Sequence, residues 1–262
     1  MESQISIEEL LKRAEIRDNE RIDDLDCNGF CIIQNPSCFC FGMDAVLLAN
    51  FAAGRPNMKV IDLGTGTGVI PLLMFAKGKG AAFTGLEIQE DMADMAMRSV
   101  RLNNAADRIN IVGGDINNIR SLFSPGSFDM VTSNPPYIKE TGGLTNPNGA
   151  LNIARHEIKV NLEGVIGAAA YLLNSGGSFN MVHKPFRLPE IFEVMKSFRM
   201  EPKRVQLVQP YADKEPNMVL IEAVKGARPF CRILPTLVVY EKSGGYTKRL
   251  LDYYGMNKEV RD

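Results

Sequence analysis

Between residues 59 and 225 the chain alternates two kinds of apolar pattern. Short continuous apolar runs occur at 59–64 ("KVIDLG"), 81–88 ("AAFTGLEI"), 109–115 ("INIVGGD") and 128–134 ("FDMVTSN"), each closed by Gly, Asp, Asn or an acid. Runs of this length predict buried strands. Between them, 69–77 and 89–104 have helical spacing. The second of these starts with acids and carries Arg98 and Arg101 towards its end, the arrangement a helix dipole favours. A helix over 157–173 then leads to a fifth strand at 176–183, and a helix follows at 188–198. Strands at 204–210 and 217–225 have no helix-length segment between them, which predicts an antiparallel pair. Ahead of the first strand, "FGMDAVLLANF" (41–51) spaces Val46, Leu47 and Phe51 as a helix docked on the sheet, with Asp44 near its start. Phe41 and Gly42 read there as packing residues.

Strand and helix in alternation imply a mostly parallel sheet covered on both faces. Such sheets bind ligands at the carboxyl ends of their strands. The residues just after each strand are therefore the candidates for chemistry.

After the first strand comes "DLGTGTG" (62–68), with Gly64, Gly66 and Gly68. A glycine loop opening a helix lets backbone approach a ligand closely. The dinucleotide fingerprint needs a third glycine where Val69 stands, and no Gly-Lys-Ser/Thr ending marks a P-loop. Glu87 ends the second strand, where an acid accepts from ribose hydroxyls. Asp115 ends the third. Either carboxylate alone reads as a cap or turn residue; three such features after successive strands read as a nucleoside site.

After the fourth strand stands "NPPY": Asn134, Pro135, Pro136 and Tyr137. Prolines end the ladder, so this segment cannot extend the strand. A turn explains the prolines but not the residues on either side. A conjugated amino or amide nitrogen is a poor nucleophile, because its lone pair is delocalised. Acceptors at the Asn134 side chain and the Pro135 carbonyl would take its two hydrogens and expose that pair. Tyr137 would stack on the planar group.

Composition narrows the setting. The 262 residues are 45% hydrophobic and 23% charged, ordinary for one large globular domain or two small ones. No apolar run approaches the roughly 18 residues of a membrane span; the longest, "GVIGAAAYLL", reads as a buried helix. The start, "MESQISIEELLKR", shows no secretory pattern. Five cysteines, an odd count, suggest reduced thiols in the cytoplasm. Four of them (Cys27, Cys31, Cys38, Cys40) crowd together but lack a C-x2-C pair, so they are expected to be small buried hydrophobes and no metal is expected. Net charge is −1, but residues 183–262 hold 15 Lys and Arg against 10 Asp and Glu. That basic third is a candidate face for an anionic partner.

The G-x-G-x-G loop after Asp62 resembles motif I of class I S-adenosylmethionine methyltransferases, and "NPPY" resembles the motif of those acting on planar sp2 nitrogens. The flanking stretches "ERIDDL", 32–51, "ARHE" (154–157), "MVHKPFRLPEI" (181–191) and 211–229 resemble the bacterial tRNA1(Val) adenine-N6 methyltransferase family, over roughly residues 20–240. The resemblance implies a Rossmann-like α/β fold with a seven-stranded, mostly parallel sheet, its last strand antiparallel and helices on both faces. It implies one domain: an N-terminal extension (1–58), a cofactor-binding and catalytic core (59–225) and a C-terminal extension (226–262). It implies S-adenosyl-L-methionine held by Asp62, Gly64, Gly66, Gly68, Glu87, Asp115 and Asn134, with catalysis by Asn134 to Tyr137. The substrate implied is an adenosine at position 37 of a valine tRNA, in the anticodon loop. No membrane and no obligatory protein partner are expected. Lys139, Arg155, Lys184 and Arg187 are candidate RNA contacts, and 139–150, rich in Gly and Asn, is a candidate lid. His156 and His183 have no required catalytic role. Four rivals remain open on the residues alone. They are a release-factor glutamine enzyme, a guanine-N2 rRNA enzyme, a DNA adenine enzyme and an RNA-binding relic of the fold. A dehydrogenase is disfavoured by the missing glycine.

Overall fold

The computed structural model describes residues 14–38, 40–136 and 161–254. The described part begins with a short hairpin, β1 (Arg21–Asp24) and β2 (Cys31–Gln34), which the apolar pattern does not announce. Helix α1 (Met43–Phe51) follows, buried at Val46, Leu47 and Phe51 as its spacing requires. Then come β3 (Lys59–Leu63), α2 (Val69–Ala76), β4 (Ala82–Glu87), α3 (Glu90–Leu102) and β5 (Ile109–Gly113). A short helix α4 (Ile119–Leu122) and β6 (Phe128–Ser133) lead to α5 (Leu162–Leu172) and β7 (Leu173–His183). The described residues close with α6 (Leu188–Ser197), β8 (Met200–Gln209), β9 (Met218–Lys225), two-residue strands β10 (Arg232–Ile233) and β11 (Leu237–Val238), and α7 (Lys248–Tyr254).

Seven long strands lie in the order β8–β9–β7–β6–β3–β4–β5. All are parallel except β9, which runs antiparallel to both β7 and β8. The mostly parallel sheet with an antiparallel last strand is therefore present. β10 and β11 are additions, both parallel to β8 along its outer side.

Alternate residues of each strand point to opposite faces. On one face Val60, Met130, Val182 and Leu220 meet α1 and α2 through Leu47, Leu48, Leu72 and Leu73, with Leu250 of α7 behind them. On the other, Ile61, Val131, Phe179 and Ile221 meet α5 and α6 through Val165, Ile166, Ile191 and Met195. Each such side chain contributes about 1.5–3 kcal/mol, so helices on both faces are what the doubly apolar strands demand.

The end of α1 depends on one lysine. Lys79 Nζ donates to the carbonyls of Ala49, Asn50 and Ala52 at 2.8, 2.7 and 2.9 Å, closing orphan acceptors at a helix C-terminus. Burial lowers its ammonium to about 8. Lys79→Met should cost about 2–3 kcal/mol, the penalty of stranding part of a charge-assisted set, read as a lower denaturant midpoint with unchanged slope.

The hairpin docks on α3. Asn103 both donates to the Cys31 carbonyl and accepts from its N–H (2.6 and 2.9 Å), and Ser99 Oγ accepts from Ile33 N–H. Arg98 does not serve the helix dipole from the surface as its position suggested. It is 2% exposed and forks onto Glu20 at 2.6 and 2.7 Å, bonds Asp94, and reaches the Glu15 carbonyl. It ties the chain ahead of the hairpin to the core.

The cysteines also depart from expectation. Cys27 is buried, Cys31 and Cys40 are half-buried, and Cys38 is exposed. A turn in which Asn35 accepts from the N–H groups of Ser37 and Cys38 carries this segment over the surface. Among the described residues no three His, Cys, Asp or Glu side chains gather as a metal would need. No described helix is long and apolar enough to cross a membrane.

Candidate active site

Register places the candidate residues along one edge. Asp62 pairs with Thr132 and Gly85, and Glu87 with Gly113. The carboxyl ends of β5, β4, β3 and β6 therefore line up, presenting Asp115, Glu87, the glycine loop and Asn134 in that order. At the ~4.8 Å spacing of neighbouring strands, a ligand reaching from Asp115 to Asn134 spans ~14 Å. That suits an extended nucleoside bearing an amino acid.

The loop is held by backbone. Gly64 and Thr65 donate to the Leu86 carbonyl at 2.9 and 3.0 Å. Gly64, Gly66 and Gly68 have φ of 71°, 57° and 86°, in the left-handed region closed to most side chains. A Cβ at Gly68 would also press on Ala96 of α3 at 3.3 Å. Beneath the loop, a Cβ at Gly85 would meet the Thr65 methyl at 2.7 Å, so a strand glycine seats the loop.

Glu87 is buried, and each of its oxygens accepts one backbone bond. Gly66 N–H donates to Oε2 at 2.8 Å and Gln89 N–H to Oε1 at 3.0 Å. A carboxylate accepts about four hydrogen bonds, so capacity for a ribose diol remains. Asp115 caps the turn over 116–118 through Oδ1, accepting from Asn117 N–H at 2.8 Å. It thus does the capping work its residue type suggests, while its second oxygen makes no described hydrogen bond.

Asp62 lies under the loop at 1% exposure. The Thr132 hydroxyl donates to Oδ1 at 2.7 Å. Oδ2 and the Thr65 hydroxyl beside it close no hydrogen bond among the described residues. Burial pushes the Asp62 carboxyl up to about 7, against the Thr132 hydrogen bond and with the Glu87 charge adding. A buried carboxylate short of one partner, below a loop of backbone N–H groups, fits a cationic amino-acid-bearing nucleoside.

The raised Asp62 value gives a signed prediction. Folded Asp62 holds its proton up to about 7, against 3.8 when unfolded, so its favourable contribution is full below 3.8 and is lost as pH rises through 7. Asp62→Asn should therefore raise the melting temperature at pH 8 and leave it nearly unchanged at pH 4. Cofactor affinity should fall at least about tenfold, the worth of 1.4 kcal/mol. Equal melting shifts at both pH values would refute the account.

Asn134 follows β6 half-buried, beside Ser133, whose hydroxyl donates to the Leu63 carbonyl at 2.9 Å. Pro135 is buried and Pro136 exposed. Asn134 thus emerges one strand from the glycine loop. Tyr137, Lys139, Arg155, His156 and the candidate lid over 139–150 lie outside the described residues.

One strand further on, His183 ends β7. It is buried, accepts from Lys184 N–H through Nδ1 at 2.7 Å, and is held at about 4, chiefly by burial. It is thus a neutral, packed imidazole at pH 7. Lys184 Nζ reaches the Asn217 carbonyl at 3.4 Å, and Arg187 forks onto Glu190. An RNA phosphate would share Arg187 with that acid. Between them Phe186 is 61% exposed.

Thr65, Thr132, Gly85 and Phe186 were missed by sequence reasoning. Thr132 owes its place to cross-strand register with Asp62, and Thr65 to the loop's bond to the Leu86 carbonyl. Phe186 carried a usable signal: an aromatic between two basic residues just after a strand.

This fold and edge define a class I S-adenosylmethionine-dependent methyltransferase. A methyltransferase-domain family model matches residues 55–214. A predicted O-methyltransferase from Agrobacterium tumefaciens has a TM-score of 0.65 and 25% identity, covering 81% of this chain and 96% of that one. Geranyl diphosphate C-methyltransferase from Streptomyces coelicolor, solved with S-adenosyl-L-homocysteine, has a TM-score of 0.51 at 14% identity, covering 70% and 78%.

A tRNA1(Val) (adenine(37)-N6)-methyltransferase of Porphyromonas gingivalis is 30% identical, covering 83% of this chain and 88% of that protein. The chain belongs to that family, and its cofactor is S-adenosyl-L-methionine.

Proposed function

We propose that the protein methylates the exocyclic N6 of the adenosine at position 37 in the anticodon loop of a valine tRNA. Methylation of a tRNA adenine follows from the family; the position, the tRNA species and the residue roles are our reading. The observation that carries it is Asn134-Pro135-Pro136 emerging from β6 one strand from the glycine loop on β3.

The Asn134 side-chain oxygen and the Pro135 carbonyl accept the two N6 hydrogens, which releases the nitrogen lone pair from the ring. Tyr137 stacks on the base, and Phe186 offers a second ring at the same edge. The cofactor supplies an electrophilic methyl on a sulfonium. Methyl transfer from the bound cofactor would form the nitrogen–carbon bond as the carbon–sulfur bond breaks, leaving S-adenosyl-L-homocysteine. The extra proton would then pass from N6 to water, so no side-chain base is needed. The neutral, packed His183 is consistent with that. Asp62 and the glycine loop hold the amino-acid end of the cofactor, Glu87 the ribose and Asp115 the adenine amino group. An anticodon-loop base is already unpaired, so presenting it costs little. Lys184 and Arg187, with Lys139 and Arg155, hold RNA near the site, and 139–150 closes over the base. Such work places the chain in the cytoplasm.

Mass spectrometry of nucleosides from tRNA, with and without this gene, tests the reading. Loss of N6-methyladenosine from one valine tRNA fragment is expected. An unchanged tRNA pool would send the same nitrogen chemistry to another planar amide or amine, a release-factor glutamine first.

A further inference from the structure

The outer edge of the sheet, beyond β8, carries a basic and aromatic surface with no place in the chemistry above. After β9 the chain turns through Ala227 to Pro229 and forms β10 against β8, with Arg232 level with Arg204 and Ile233 with Val205. Phe230 and Ile233 are each 68% exposed, the most exposed large apolar side chains among the described residues. Phe230 also has φ of 154°, which side chains avoid and which marks a functional hypothesis when the surroundings enforce it.

Cations surround that ring. Lys203 Nζ lies 5.8 Å over it and bonds the Arg228 carbonyl at 3.1 Å. Arg228 and Arg232 are exposed, and Arg199 is exposed at the turn before β8. None of these four makes an ion pair among the described residues. Of the neighbouring acids, Glu222 is paired with Arg204, and Glu201 stands near Cys231 as Lys203 does, without forming an ion pair with that lysine among the described residues. The result is an excess of positive charge, Lys203, Arg228, Arg232 and Arg199 against Glu201, around an uncovered aromatic, a pattern suited to phosphates flanking a ribose or an unstacked base.

From the tRNA reading above, we infer that Lys203, Arg228 and Arg232, with Phe230 between them, form a second tRNA-binding surface that holds RNA away from the reacting base. Arg232 shares its level with Thr132 through the chain of registered pairs. It therefore lies four strand spacings from β6, ~19 Å. That is about six phosphates at the ~3.4 Å axial spacing of a duplex strand. The cations contribute charge-dependent affinity, Phe230 a charge-independent contact. The surface selects a structured RNA over a short strand that holds only the target base.

The test is filter retention of full-length tRNA across a salt series, for wild type, the triple variant Lys203→Gln, Arg228→Gln, Arg232→Gln, and Phe230→Ala. Each lost phosphate contact removes about 0.7–0.9 from the slope of log affinity against log salt. The triple variant should lose about 2 in slope and at least tenfold in affinity, with kcat at saturating tRNA and cofactor affinity unchanged. Phe230→Ala should lose affinity at an unchanged slope. Wild-type slope and affinity in the triple variant would overturn the surface. So would a wild-type dimer in sedimentation that Phe230→Ala dissolves, which would give the patch to a second copy of the chain. Retention is read without catalysis, so wild type that binds but methylates no tRNA sinks the functional reading and leaves this surface standing.

Discussion

Asn134→Ala should lower kcat by about 10³-fold while the cofactor dissociation constant changes less than about threefold. Removing one preorganised transition-state partner costs about 10²–10³. Here the acceptor lost also activates the nucleophile, which puts the effect at the upper end. The fold should survive: Asn134 lies after the ladder, and the loop's own anchors at Leu86, Glu87 and Gly85 do not pass through it. Stopped-flow cofactor binding beside single-turnover methyl transfer separates the two quantities. A parallel loss in both would make Asn134 a cofactor residue only, and full activity would remove it from the chemistry.

Arg98→Met should be the most damaging single change to stability away from the site. Deleting one partner of a buried ion pair strands the other and costs about 3–5 kcal/mol. Glu20, at 6% side-chain exposure, would be left facing an apolar side chain. At about 2–4 °C per kcal/mol for a chain this long, the melting temperature should fall by about 6–20 °C. The double variant with Glu20→Gln should recover part of that, because the stranded charge is gone. The Arg98 hydrogen bonds hold the Glu20 carboxyl below its usual 4.5. The pair's stabilisation is therefore full above that value and fades as pH falls beneath it, so wild type and variant should converge in acid. A melting shift that stays constant down to pH 3 would argue for lost packing instead.

The core of the fold was legible because parallel strands buried on both faces leave apolar runs, as 59–64, 81–88 and 128–134 do; the edge strand β5 is less buried and shows a shorter run around Asn110. The antiparallel relation of β8 and β9 followed from the missing helix between them. The N-terminal hairpin was not legible. "RIDD" and "CIIQ" are four residues each, and what stabilises them is a face of α3 that lies far along the chain. The roles of Arg98 and Lys79 were hidden for a related reason: a basic residue near a helix end looks the same in sequence whether it is solvated or closes a distant segment. Position at or just past a strand end was enough to set Asp62, Glu87, Asp115 and Asn134 along one edge, where their roles are those proposed above. What remained invisible was support from the side, such as Thr132 under Asp62, because it depends on which strands become neighbours.

The hairpin's anchors have a consequence for synthesis. Ile33 waits for Ser99, Cys31 for Asn103 and Glu20 for Arg98, separations of 66, 72 and 78 residues. At about 5–20 residues per second, a ribosome takes ~4–16 s to supply those partners after the N-terminal segment is made. During that interval Ile33, fully buried in the finished protein in a cluster with Met92, Met95 and Leu102, still lacks those partners. The hairpin is thus made well before it can finish folding, and a nascent-chain chaperone would find Ile33 uncovered there.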